Sequence, residues 1–232
     1  MTPPRTATRM PVVVALALAA IIAPFFAWQG AEGGEHGIVS SLAPDGIVVV
    51  GDSITARYND DPGDQQQGWW SMVGRRFGTD VTTYAQSGSG YLRPGHRCEG
   101  DRFIDRTEAY HGDAPSIVII EGGRNDWSVC EDGRHVPASD EAIASAVDRY
   151  LDTLQTFLPV STRIIVLGPP WGPIDQWNAV RVTAVVEAAA DRHGLEFIST
   201  RGALTADGVI DGVHPNRRGS LAVADRVISA LS

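Results

Sequence analysis

The sequence predicts an α/β fold: a flavodoxin-like, three-layer α/β/α sandwich around a mostly parallel, five-stranded sheet. The first observation is that short, almost wholly apolar runs rich in valine and isoleucine recur, as at residues 47–50 and 117–120. Such runs are typical of strands buried on both faces of a sheet. The second is that segments of helical length separate these runs, and strands that alternate with helices favour a parallel sheet covered on both sides.

Five segments are predicted as strands from their β-branched and aliphatic content. In chain order they span residues 47–50, 81–85, 116–121, 163–167 and 195–199. Residues 86–100 are rich in glycine and turn-forming residues, so we predict a long loop there. Right-handed crossovers bring the loops that follow parallel strands to one edge of the sheet.

Four segments are predicted as helices because their apolar residues recur at helical spacing. They span residues 68–77, 139–158, 175–193 and 216–230. The clearest is the second, whose N-terminus can be capped by Ser139 or Asp140 and which ends at Pro159. Gly194 is the predicted C-cap of the third.

The first thirty residues differ from the rest of the chain. Arg5 and Arg9 precede an apolar stretch at residues 11–28, which is the pattern of a signal peptide or an N-terminal membrane anchor. A buried helix of the domain is the remaining interpretation. We therefore predict a leader or anchor at residues 1–30, a linker at 31–43 and one domain at 44–232. The domain is expected outside the cytoplasm, secreted or anchored, with possible membrane contact through residues 11–28.

The composition limits the classes of partner. The formal net charge is −9, and all 19 basic residues are arginines because the sequence has no lysine. An acidic chain without a basic run argues against nucleic acid as a partner.

The chain has two cysteines, Cys98 and Cys130. An even cysteine count in an exported protein favours a disulfide, and two free thiols remain the alternative. A bond that closes a loop of this length stabilises the fold by about 3.5–4 kcal/mol in the chain-entropy model. We expect no metal and no cofactor.

Candidate catalytic residues lie in loops predicted to share the carboxyl edge of the sheet. Ser53 follows the first strand, and Asp211 and His214 precede the last helix. A serine hydroxyl becomes a good nucleophile when a histidine takes its proton, and a carboxylate can orient that histidine. The alternatives are that Ser53 only caps a helix and that Asp211 is only a turn residue.

The same edge offers donors for the negatively charged oxygen of an acyl-transfer intermediate. The candidates are the backbone N–H of Ser53, the backbone N–H of Gly88 and the carboxamide of Asn125. Gly88 suits this position because a residue without Cβ lets the backbone approach a substrate. Asn125 could instead be a plain turn residue. Asp52 and Asp126 are expected to hold loop backbone.

Three aromatic residues are candidates for a substrate cleft, since aromatic faces bind both sugars and acyl chains. Tyr91 follows the glycine-rich loop, Trp127 follows Asn125, and Trp171 lies in the proline-rich loop after the fourth strand.

These motifs resemble those of the SGNH hydrolases, also called the GDSL esterase/lipase family. Gly51-Asp52-Ser53-Ile54 is similar to the first block, and Gly88 to the glycine of the second, with Gly90 as the alternative match. Residues 123–126 (Gly-Arg-Asn-Asp) match the third block, and residues 211–215 (Asp-Gly-Val-His-Pro) match the fifth. The resemblance implies the three-layer fold, metal-independent ester hydrolysis and a site open to solvent.

Together the motifs predict an exported serine esterase that forms an acyl-enzyme at Ser53. One alternative is acyl or acetyl transfer, or deacetylation, on a cell-envelope glycan. Another is a glycan-binding module without catalytic activity. The expected partner is a small-molecule or glycan ester, and the expected state is a monomer. Which ester is the natural substrate stays open, because one fold supports many pockets.

Overall fold

A parallel sheet of five strands forms the centre of the computed structural model, which describes residues 46–56, 65–109, 114–174 and 176–232. The strands, numbered along the chain, are β1 (Ile47–Gly51), β2 (Val81–Ala85), β3 (Ile117–Glu121), β4 (Ser128–Glu131), β5 (Arg134–Pro137), β6 (Arg163–Leu167) and β7 (Glu196–Ile198). The order in the main sheet is β2-β1-β3-β6-β7, and every pairing in it is parallel. This is the flavodoxin-like order, and the predicted fold class is confirmed.

Helices cover both faces of the sheet. They are α1 (Ser53–Ala56), α2 (Trp69–Phe77), α3 (Asp140–Phe157), α4 (Gln176–Arg192) and α5 (Arg217–Leu231). Single 3-10 turns lie at Gln65–Gln67, His96–Cys98, Phe103–Asp105 and Thr107–Ala109. Of the two predicted N-caps of α3, Ser139 is the one observed, because its Oγ accepts a hydrogen bond from Ala142 N at 3.2 Å. Gly194 follows the end of α4 with a φ of +63°, as a C-terminal cap requires.

The core consists of two apolar layers, one on each face of the sheet. Side chains alternate between the faces along a strand, so Val118 and Ile120 of β3 pack with α3 and α4, and Ile119 packs with α2 and α5. Both layers are fully buried at their centres. Burial on both faces explains why β3 is apolar at four successive positions.

An antiparallel hairpin of β4 and β5 was not predicted. Its turn is Asp132-Gly133, and both residues have positive φ, +49° and +73°. Asp-Gly is a favoured pair for a two-residue hairpin turn of this kind. The hairpin directly follows Asn125 and Asp126, so it adds a wall to the edge where the candidate site lies.

The predicted leader, anchor and linker at residues 1–43 lie outside the described residues. In the part of the chain that the structure describes, no helix combines the length and the apolar character needed to span a membrane.

Candidate functional site

Ser53 lies at the turn between β1 and α1, at the carboxyl edge of the sheet. The Asp52 carboxylate caps α1, because its Oδ1 accepts a hydrogen bond from Ile54 N at 2.8 Å. Ser53 is only 6% exposed. The cap holds the backbone on both sides of Ser53, at the edge where ligands bind in open α/β folds.

Two backbone N–H groups at this edge are free to bind an oxyanion. Among the described residues, neither Ser53 N nor Gly88 N has a hydrogen-bond acceptor. Gly90 N, by contrast, donates to the Arg93 carbonyl at 2.9 Å. Gly88 has a φ of +80°, which favours glycine. Of the two glycines, the unoccupied N–H and the backbone conformation favour Gly88.

Asn125 is joined to the Ser53 turn through Asp52. Its Nδ2 donates to Asp52 Oδ2 at 3.2 Å and to the Ser89 carbonyl at 2.9 Å. Both amide hydrogens are therefore engaged in this structure. For Asn125 to bind an oxyanion, one of these hydrogen bonds must be shared or exchanged when substrate arrives.

Asn125→Ala is expected to lower kcat for a short acyl ester by about 10²–10³-fold, because one oxyanion donor of this kind is worth that much. KM should change little, since the donor acts mainly on the transition state. Steady-state kinetics with p-nitrophenyl acetate measure both constants, and the thermal midpoint shows whether the loop remains folded. A fall in kcat of less than fivefold in the folded variant would exclude Asn125 as an oxyanion donor.

Asp211 and His214 form a compact turn before α5. Asp211 Oδ2 lies 2.7 Å from His214 Nδ1, and Asp211 Oδ1 accepts hydrogen bonds from Val213 N at 3.0 Å and His214 N at 2.8 Å. Partial burial raises the pKa of Asp211, but the hydrogen bonds from His214 and Val213 outweigh it and hold the pKa below its ordinary value. Asp211 is thus ionised at neutral pH, and it holds the imidazole so that Nε2 remains available.

No hydrogen bond joins the two halves of the candidate triad, the Ser53 hydroxyl and the His214 imidazole, among the described residues. Catalytic hydrogen bonds are often long without substrate and shorten when it binds. The proton relay from Ser53 to His214 therefore stays a prediction.

Asp126 holds the loop after β2 in place. Its carboxylate accepts three backbone hydrogen bonds, from Tyr91 N at 2.9 Å and from Leu92 N and Arg93 N at 3.0 Å each. Burial raises the pKa of Asp126 to about 6, although these three hydrogen bonds lower it. Both Asp52 and Asp126 thus hold loop backbone, as their sequence positions indicated.

The prediction that Tyr91 lines the substrate cleft is wrong. Its side chain is 1% exposed and packs edge-on against Phe103 and Tyr150, with ring centroids 4.9 and 6.0 Å away. The hydrogen bonds to Asp126 turn the backbone at this point and direct the ring into the core. Trp127 is exposed, and Trp171 is half-buried beside Arg124; their place in a substrate cleft stays a prediction.

Glu121, the last residue of β3, is a buried carboxyl that the sequence analysis did not identify. Its Oε2 accepts hydrogen bonds from Thr55 Oγ1 at 2.8 Å and Asp52 N at 3.4 Å. Its Oε1 is buried and has no partner among the described residues. Burial, and then the nearby Asp52 carboxyl, raise the pKa of Glu121 well above its ordinary value. Burial also raises the pKa of Asp52 to about 7.

Glu121→Gln is expected to reduce the loss of stability as pH rises. A buried carboxyl with a raised pKa keeps its proton in the folded state after the unfolded chain has released it, so the free energy of unfolding falls with rising pH. Glutamine keeps the size and the acceptor for Thr55 without this ionisation. Urea denaturation at about pH 5 and about pH 8 should show a smaller fall for the variant. Equal falls in both proteins would exclude Glu121 as a protonated group.

Two buried arginines also support the site. Arg106 Nη1 donates to the carbonyls of Gly51 at 2.8 Å and Tyr84 at 3.0 Å, and Nη2 donates to Ser89 Oγ. Arg124 lies over the Trp171 ring, 4.7 Å from its centroid. Arg106 thus joins the ends of β1 and β2. No local pattern marks it, because its partners come from three separate segments.

The predicted disulfide is confirmed: Cys98 and Cys130 are bonded, with their Cα atoms 5.6 Å apart. It joins the loop after β2 to β4. His135 Nδ1 lies 3.7 Å from Cys98 Sγ and 3.6 Å from Cys130 Sγ. The bond therefore restrains the two segments that carry Gly88 and Asn125.

The sequence is similar to those of known proteins. The sequence model of a family described as GDSL-like lipase/acylhydrolase matches residues 49–222. A GDSL lipase of Mycobacterium tuberculosis is 29% identical over 199 residues, which cover 80% of this chain and 81% of that protein. The matched range contains every candidate catalytic and oxyanion residue.

Solved structures are similar in fold. A carbohydrate acetylesterase from Sinorhizobium meliloti has a TM-score of 0.63 at 17% identity, covering 80% of this chain and 97% of that one. A family two carbohydrate esterase from Clostridium thermocellum, in complex with cellohexaose, has a TM-score of 0.61 at 21% identity, covering 80% of this chain and 63% of that one.

Proposed function

The chain belongs to the GDSL-like lipase/acylhydrolase family and is an ester hydrolase, and from this premise we propose that Ser53, His214 and Asp211 are its catalytic triad. The observation that carries the proposal is the 2.7 Å contact between Asp211 and His214 Nδ1. It fixes the tautomer that a general base needs, with Nε2 free to accept a proton.

The proposed reaction has two steps. Ser53 Oγ attacks the ester carbonyl carbon while His214 Nε2 takes the hydroxyl proton. The oxyanion is bound by the N–H groups of Ser53 and Gly88 and by Asn125. The bond to the alcohol then breaks, and the alcohol leaves with the proton from His214. Water, activated by the same imidazole, hydrolyses the acyl-enzyme and restores Ser53.

We propose an acyl ester of a carbohydrate as the substrate. Support comes from similar structures that are named carbohydrate esterases, one of them in complex with cellohexaose. We also propose that the domain acts outside the cytoplasm, after export through residues 1–30. The disulfide between Cys98 and Cys130 supports this location, because disulfides persist in oxidising compartments.

The test is covalent labelling with a fluorophosphonate, which reacts with activated serines. The mature protein should gain the mass of one phosphonyl group, and peptide mapping should assign it to Ser53. It should also release p-nitrophenol from p-nitrophenyl acetate, and labelling should stop that release. An unlabelled protein, or a label on another serine, would refute the triad.

A further inference from the structure

A groove runs along α4, next to the turn formed by Asp211 and His214, which we call the catalytic turn. The proposed mechanism does not use this groove. It has a volume of about 430 Å³, within the range of small-molecule sites. Helix α4 forms one side, and the segments that follow β6 and β7 form the other. We call it the α4 groove, and its lining includes Trp171, Gln176, Thr183, Glu187, Arg201 and Leu204.

One wall of the α4 groove is continuous with the catalytic turn. Gly172 lines the groove and lies so close to the Gly212 carbonyl that no side chain would fit at Gly172. Gly212 lies between Asp211 and His214. Ile174, two residues after Gly172, also lies close to Gly212. A Cβ added at Gly212 would lie 3.5 Å from Ile174 Cδ1. A molecule in the groove would therefore border the His214 turn.

The groove also borders the oxyanion side of the site. Trp171 lines the groove, and the Arg124 guanidinium lies over the Trp171 ring, 4.7 Å from the ring centroid. Arg124 precedes Asn125 and is buried. The groove thus borders the turn that carries His214 and, through Trp171 and Arg124, the segment that carries Asn125.

The charges of the lining indicate which ligand fits. Glu187 and Arg201 both line the groove, and in the described part of the chain neither side chain has an ion pair or a hydrogen bond. An anionic ligand would meet Glu187, and a cationic ligand would meet Arg201. A neutral ligand with many hydroxyls suits both, because a hydroxyl donates to a carboxylate and accepts from a guanidinium.

The apolar lining fits the same ligand. Trp171 and Leu204 supply apolar surface within the groove. Val180, which also lines the groove, is 61% exposed. Sugar rings combine apolar faces with hydroxyl edges, and an aromatic ring can pack against such a face. A purely aliphatic chain could not form hydrogen bonds with Glu187, Arg201 or Thr183.

We propose that the α4 groove binds the carbohydrate part of the ester substrate, in the form of sugar units linked to the one that carries the acyl group. The proposal rests on the proposed esterase function and adds to it the site that selects the alcohol. Substrates with a small alcohol do not reach the groove, so their hydrolysis is independent of it.

The chain offers a matched pair of variants for the test. Ala184 and Ala188 are both exposed alanines on α4, one turn apart, and of the two only Ala184 lines the groove. We expect Ala184→Trp to fill the groove and to lower kcat/KM for acetylated xylo-oligosaccharides at least tenfold. Its kcat/KM for p-nitrophenyl acetate should stay within twofold of the parent protein. Ala188→Trp should change neither value.

Equal kcat/KM for the oligosaccharide in Ala184→Trp and Ala188→Trp would overturn the groove proposal. Equal losses of kcat/KM on the oligosaccharide and on p-nitrophenyl acetate in Ala184→Trp would also overturn it. A loss of kcat/KM confined to long-chain p-nitrophenyl esters would overturn it as well and would assign the groove to the acyl chain. A parent protein that hydrolyses p-nitrophenyl acetate but no acetylated saccharide also overturns it and leaves the esterase function intact. A parent protein inactive on every ester refutes the proposed function instead.

Discussion

Ser53→Ala is expected to lower kcat/KM for p-nitrophenyl acetate by roughly four to six orders of magnitude, the usual cost of losing a triad nucleophile. Alanine removes the atom that forms the acyl-enzyme, and the oxyanion donors alone provide only residual catalysis. The backbone of the turn should not change, because Asp52 caps α1 through Ile54 N and not through the Ser53 side chain. The initial rate of p-nitrophenol release measures the effect.

The control for this variant is Ser145→Ala, which removes an exposed hydroxyl from α3. It should keep the full rate, and both variants should keep the thermal midpoint of the parent protein. A folded Ser53→Ala protein with more than a few per cent of the parent rate would show that the acyl group is not carried by Ser53.

Asp211→Asn is expected to lower kcat by about 10⁴-fold, the cost of the same change in a serine-protease triad. Asparagine Oδ1 can still accept the hydrogen bonds from Val213 N and His214 N, so the turn should persist. Its NH₂ group would then face His214 Nδ1, where the carboxylate now lies at 2.7 Å. This favours the wrong tautomer and removes the charge that stabilises the imidazolium.

Asp207→Asn serves as the comparison, because Asp207 lies in the same segment and forms an exposed ion pair with Arg218. Exposed pairs of this kind are worth little, so its kcat should match that of the parent protein. If Asp211→Asn reduced kcat no more than Asp207→Asn did, Asp211 would not orient the catalytic base.

The strands and long helices could be predicted because their signals are local. The bounds of β2 and β6 agree with the sequence prediction residue for residue. Burial on both faces requires apolar side chains at successive positions, and this requirement is visible within five residues. The hairpin of β4 and β5 was missed although Asp132-Gly133 marks its turn, because its strands are short and largely exposed.

The hydrogen bonds that connect the site segments could not be predicted from the sequence. Glu121 and Asp52 are 69 residues apart, and Asn125 and Asp52 are 73 apart. Their contacts depend on the positions of β1 and β3 as neighbours and on side-chain directions that no local pattern specifies. One signal was available: a carboxylate that follows four apolar residues at the end of a buried strand has to find partners.

Tyr91 illustrates the opposite error. Its place after a glycine-rich loop suggested exposure, but proximity in sequence does not determine side-chain direction. The three hydrogen bonds from backbone N–H groups to the Asp126 carboxylate turn the chain here and direct the Tyr91 ring into the core. Trp177, which no motif marked, is the one aromatic residue of α4 and is 78% exposed.

The most direct test of the account is a crystal structure of the protein after phosphonylation of Ser53. We predict that one phosphoryl oxygen lies within about 3.2 Å of Ser53 N, Gly88 N and Asn125 Nδ2, as hydrogen bonds require. We also predict that His214 Nε2 lies within the same distance of an oxygen bonded to phosphorus. An adduct on Ser53 with the His214 imidazole more than about twice that distance away would contradict the triad.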